Sequence, residues 1–142
     1  LNKPTEFILG DLIPEINCDF IIYNGGPVEQ ENLYFIHKLP ELIPGSIHIA
    51  NNIYWGGNFD FLTTLLKNNS IKATDIRFFL GYSGWSEAQL NIELNERSWI
   101  VIENNFSNLF TINSDEFWKN QLLEIGGEYQ IWANAPEDPA LN

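Results

Sequence analysis

The sequence predicts an α+β, or loosely mixed α/β, domain, and three observations carry that expectation. Short, apolar, β-branched runs at residues 20–23, 76–82 and 99–102 read as buried strands. Stretches opened by Asn58, Ser86 and Ser114 carry capping residues and helical spacing. The two kinds of segment mix without the strict alternation of a parallel βαβ chain. At 142 residues the chain has the length of one compact domain, and 44% hydrophobic against 18% charged residues is a globular composition.

Taken in order, Thr5 caps a short helix that Pro14 stops after Ile13. Phe20-Ile21-Ile22-Tyr23 is a buried strand, ended by the turn chemistry of Asn24-Gly25-Gly26-Pro27. Residues 33–37 form a second strand, and Ile47-His48-Ile49 and Ile53-Tyr54-Trp55 two short ones. Asn58 caps a helix with Phe59, Leu62 and Leu66 on one face, and Asn68-Asn69 ends it, since Asn tolerates the left-handed conformation. Residues 76–82 are the most apolar strand and belong at the sheet centre. Ser86 with Gln89 has the form of a capping box, opening a helix that carries Leu90 and Leu94. Residues 99–102 form another buried strand. The last helix starts at Ser114, places Trp118, Leu122 and Ile125 on one face, and stops at Gly126-Gly127. The whole of 1–142 reads as a single domain, with residues 128–142 a C-terminal tail or arm. The chain has no Met and opens at Leu1 in what reads as the middle of an element, so a preceding segment is expected.

Charge narrows the function classes. Seven Lys and Arg against nineteen Asp and Glu leave a net charge of −12, which repels phosphate backbones and anionic lipid. The cations are scattered, with Lys67, Lys72 and Arg77 the only loose cluster, so nucleic acid is disfavoured as a partner and no membrane partner is expected. Cys18 stands alone, which excludes an internal disulfide framework and suits a reducing cytosol. There is neither a long apolar run nor a charged-then-apolar leader, so the expected location is cytoplasmic.

One segment stands out as a candidate site. Leu80-Gly81-Tyr82-Ser83-Gly84-Trp85-Ser86 takes a strand through a glycine turn into a capped helix. Free N–H groups and the helix dipole would converge there, which suits a small anion or a partner; Tyr82 and Trp85 would wall the concavity and Gln89 lies one turn on. The plainer alternative is a tight turn with core aromatics. Gly81-x-Ser83 is half of a nucleophile elbow, but Trp85 stands where the elbow needs Gly, and both histidines precede the serine. No Gly-Lys-Ser/Thr phosphate loop occurs. His37, His48 and Cys18 are too dispersed to ligate a metal, so no metal and no cofactor is expected. His37 at the end of an apolar strand reads as a structural histidine, and Glu93 with Arg97 as a surface ion pair.

Gly25-Gly26-Pro27-Val28, then His37, then Leu80-Gly81-Tyr82-Ser83-Gly84-Trp85 with Gln89-Leu90, Glu93 and Trp99, resemble the AlgH/YqgE family of bacterial proteins. The pattern runs in order over roughly residues 1 to 125, and Asn2-Lys3-Pro4 looks like that family's N-[RK]-P, before which members carry a further segment. Ala88 departs from it, standing where the family usually has Gly. The resemblance implies one α+β domain with a mixed, bifurcated and partly barrel-like sheet surrounded by helices. It implies a cytosolic protein without established enzymatic activity; some members are described as transcriptional regulators, notably of alginate production.

The expected function is therefore a non-enzymatic binding or regulatory role, through an unknown protein partner or small ligand and not through direct DNA contact. No catalytic residue is assigned. The expected site is Gly81, Tyr82, Ser83, Gly84, Trp85, Gln89 and Glu93, with Gly25, Gly26, Pro27, Val28 and His37 as family-motif positions. One alternative is an enzyme acting on a small anionic metabolite at the Gly81–Gln89 turn, with Glu93 or His37 as general base. Another is a structural or assembly protein, whose sign would be a self-complementary aromatic patch.

Overall fold

Two apolar strands lie side by side in parallel at the heart of the fold: β2 (Ile21–Asn24) and β6 (Ile76–Tyr82), with Ile22 beside Phe78. A computed structural model of the chain describes residues 2–103, 109–111 and 114–134. Its backbone contacts divide it into two compact units, Leu1–Phe110 and Thr111–Asn142.

The first unit holds a six-stranded mixed sheet. Its other strands are β1 (Pro4–Ile8), β3 (Val28–His37), β4 (Ile47–Ala50) and β5 (Ile53–Trp55), in the order β1-β2-β6-β3-β5-β4. All neighbours except β2 and β6 run antiparallel. The α+β class is as the sequence predicts; the sheet is mixed and does not close into a barrel. Sequence placed β6 centrally, and it is central, flanked by β2 and β3.

One sheet face makes the core. Ile22, Phe35, Ile76 and Phe78 project into it and meet Leu9, Ile16, Ile43 and Ile71. Helix α2 (Phe59–Lys67) adds Leu62 and Leu66 from the single face the periodicity predicts. Its Asn58 cap accepts from the Asp60 and Phe61 backbone N–H groups at 3.0 and 3.2 Å. Asn69 ends it at a φ of 51°.

Several expectations change. Residues 4–8 are strand β1 and not the start of a helix; only Leu9–Leu12 is helical, as α1. Thr5 does not cap: its hydroxyl donates across the sheet to the Ile22 carbonyl at 2.8 Å, so pairing with β2 outweighs a local capping signal. Strand β3 begins at Val28, five residues before the expected start, because a bulge between Val28 and Leu33 lets the ladder with β6 resume. Residues 99–102 are neither strand nor buried: Val101 is 78% exposed. Apolar composition makes a strand only with a pairing partner, and this run is not among the six strands of the sheet. Helix α3 (Glu87–Asn95) forms where predicted but buries no residue, Leu90 and Leu94 included.

The second unit contains α4 (Ser114–Ile125) and α5 (Tyr129–Ala133). On the predicted α4 face Leu122 is buried, while Trp118 and Ile125 are exposed. Gly126 and Gly127 end α4 with φ of 76° and 59°. Part of the expected C-terminal arm is thus helical; residues 135–142 lie outside the described residues.

Candidate functional site

The family-motif glycines meet at one crossing. Strands β2 and β6 end side by side, and the Gly25 N–H donates to the Leu80 carbonyl at 2.9 Å. A Cβ on Gly25 would run into the Gly81 carbonyl, and one on Gly26 into the Tyr82 carbonyl. One on Gly81 would lie 2.6 Å from the Gly26 oxygen, and Gly81 has a φ of +68° besides. Only glycine permits this approach. The Ser83 hydroxyl closes the crossing by donating to the Gly25 carbonyl at 3.1 Å.

The left-handed turn at Gly81 also redirects Tyr82. By strand alternation residue 82 belongs on the core face with Phe78 and Leu80. Instead its ring meets Tyr34 edge-on at 5.4 Å. Tyr34 in turn leans on Trp55 at 6.2 Å. With Phe79, Ile36 and Ile49 these rings line a groove of about 260 Å³, to which Phe35, Asn2, Asn24, Gly25 and Gly81 also contribute. Two residues bear on this lining from outside it: Glu29, which sequence reasoning does not single out, and Arg77, which it reads only as part of a loose cationic cluster. Glu29, swung back by a φ of 50° within the bulge, accepts from the Tyr34 hydroxyl and from the Asn32 amide. Those hydrogen bonds, Tyr34's foremost, hold its carboxyl below the usual range, and the bond to Glu29 pushes the Tyr34 phenol up. Arg77 is buried; it stacks over the Tyr23 ring at 4.2 Å and donates to the Asn2 side-chain oxygen at 3.1 Å. Burial lowers its pKa from the ordinary value. Neither partnership has a fixed spacing: Arg77 meets Asn2 across 75 residues.

The rest of the expected site gathers elsewhere. The Ser86 hydroxyl accepts from the Gln89 N–H at 3.2 Å, which is the predicted cap. Gln89 does not reach back to complete the box; its amide donates to Glu93 at 2.8 Å. Glu93 also accepts from the indole N–H groups of Trp85, at 2.9 Å, and Trp99, while the two indoles meet edge-on at 5.3 Å. The three donors, led by Trp99, hold its carboxyl below the usual range. The expected Glu93–Arg97 pair gives way to this cluster, which ties the chain leaving α3 back onto the turn before it. Gly81, Tyr82 and Gly25 line the groove; Ser83, Trp85, Gln89 and Glu93 are not among its described lining.

His37 lies at the far end of the β3–β6 ladder, paired with Ile76, whereas Val28 pairs with Tyr82. It is fully buried. One ring nitrogen bonds the Gly56 carbonyl at 2.9 Å and the other accepts from the Leu39 N–H at 3.0 Å. That assigns the neutral ring with its proton on Nε2. Burial depresses its pKa. No three His, Cys, Asp or Glu side chains come together as a metal site among the described residues.

Comparison with known proteins bears on the family and the fold. The AlgH-like family profile matches residues 1–130. The chain is 38% identical over 144 residues to a UPF0301 protein of Cytophaga hutchinsonii, covering all of this chain and 79% of that protein. It is 39% identical over 147 residues to a UPF0301 protein of Bacteroides fragilis, covering all of this chain and 73% of the other. Its fold is similar to the solution structure of the AlgH protein from Pseudomonas aeruginosa, with a TM-score of 0.70 at 20% identity over 96% of this chain and 76% of that one. A Corynebacterium diphtheriae protein shares the fold with a TM-score of 0.68 at 16% identity, over 94% and 73% of the two chains. The glycine crossing, with the tryptophan–glutamate tie beside it, thus lies within the matched span, and the chain belongs to the AlgH-like family.

Proposed function

We propose that this protein is a non-enzymatic binding module whose groove over β6, β3 and β5 holds a flat aromatic group of a small ligand. The observation that carries this reading is the lining. Tyr34, Trp55, Phe79 and Tyr82 offer ring surfaces in a lining that is almost wholly apolar. At about 260 Å³ the groove suits one or two fused rings; drug-sized sites begin at roughly 300 Å³.

The rival reading, an enzyme acting on a small anion, needs Tyr82, Gln89, Glu93 and His37 in one place. Register puts His37 roughly 20 Å from Tyr82 along the ladder. Glu93 accepts three hydrogen bonds in a different cluster. The arrangement therefore favours binding over proton transfer. A regulatory role, as the resemblance implies, would run through occupancy of this groove, since a net charge of −12 opposes DNA.

The test is a ligand-observed and protein-observed NMR screen of planar aromatic fragments. Hits should shift the Trp55 indole and the Tyr82 and Gly25 amides. Trp55→Ala, at a position already 42% exposed, should weaken them about tenfold. Hits that perturb only other regions, or that bind Trp55→Ala unchanged, would refute the assignment.

A further inference from the structure

We propose that the β4 edge is a homodimer interface, in which β4 pairs antiparallel with β4 of a second copy about a two-fold axis. The sheet ends in β1 on one side and β4 on the other. Sheet edges invite pairing, and proteins blunt them with proline and charge, or with bulges and short length. The β1 edge is blunted in this way, carrying Pro4 and Glu6. The β4 edge is Ile47-His48-Ile49-Ala50, without Asp, Glu, Lys, Arg or Pro, and it exposes Ile47 by 64% and Ile49 by 53%. Trp55 sits in register beside Ile47 and is also exposed, so the apolar surface extends one strand inward.

Charge argues for a second copy as the occupant. Residues 42–59 form the longest run of the chain without Asp, Glu, Lys or Arg, and the β4–β5 hairpin lies wholly within it. Two molecules of net charge −12 repel wherever their acidic surfaces meet. This neutral hairpin is where they can approach at least electrostatic cost, whereas a basic partner would find no acidic residue on it. A two-fold axis at His48 sets Ile47 opposite Ile49 of the second copy, pairing the two exposed isoleucines of the strand. The irregularity between His48 and Ala50 and the four-residue length keep the contact small. The dimer is therefore expected to be weak, half-formed at about 100 µM. The interface shares Ile49 and Trp55 with the lining of the groove, but pairing of the β4 backbones does not depend on the proposed ligand role.

Sedimentation equilibrium from about 10 µM to about 1 mM spans the affinities of small interfaces. The mass should climb from 16.3 kDa toward twice that value. Ile47→Glu and Ile47→Lys should each weaken association at least tenfold. Backbone amides of β4 in the unmutated chain should gain at least tenfold hydrogen-exchange protection over the same range, a readout independent of any folding defect. A mass that stays monomeric throughout would overturn the proposal. So would a dimer that survives both substitutions, a Lys variant that associates more tightly than the unmutated chain, or doubling without protection of β4.

Discussion

Glu93 shows how much one carboxylate can organise at the residue scale. Trp99, Gln89 and Trp85 all donate to it, and each favours the charged form. A carboxyl whose folded pKa is depressed adds stability that is present above its unfolded value, 4.5, and is lost as pH falls through the lower folded value. Glu93→Gln should therefore lower the melting temperature at pH 7 and shift the emission of Trp85 and Trp99 to the red. The gap between variant and parent should close at acidic pH; an equal gap at pH 7 and well below 4.5 would show that charge plays no part. The cluster is exposed, so the effect is small. His37 makes the complementary case. Its place at the end of an apolar strand already pointed to a structural role, and both ring nitrogens are engaged in the core. By contrast, the partnerships of Glu29 and Arg77 could not be read in advance. One depends on a bulge, the other on a partner 75 residues away.

At the scale of elements, the local rules succeeded where one helix or strand could satisfy its own signals. The α2 cap, its apolar face and its Asn69 terminus are all set by near neighbours in the chain. They failed where pairing decided. The Thr5 hydroxyl could cap a helix or bridge to β2, and the strand partner prevailed. Residues 99–102 have the composition of a strand but no strand partner. The crossing of Gly25, Gly26 and Gly81 is the element-level feature on which the groove depends. Gly81→Ala would place a Cβ 2.6 Å from a backbone oxygen at a φ of +68°. Strain and overpacking together should cost about 3 kcal/mol or more. Chemical denaturation would read this, and a loss below about 1 kcal/mol would mean the crossing relaxes freely.

For the whole molecule, charge is the property that the sequence states without ambiguity. A net −12 with scattered cations should leave the protein unretained by duplex DNA at physiological salt. Nanomolar binding in a gel-shift assay at that salt would demand a basic face that the sequence does not provide. Composition, charge, the Asn58 and Ser86 caps and the family motif were properties of the sequence by itself, because each is additive or is read along the chain. The tertiary structure alone decided which motif residues meet. It split the motif into a glycine crossing beside an aromatic groove and a separate tryptophan–glutamate tie, and it sent His37 to the opposite end of the ladder. The reason is that strand pairing, the bulge at Glu29 and the left-handed turn at Gly81 set long-range register, and register fixes which side chains share a face.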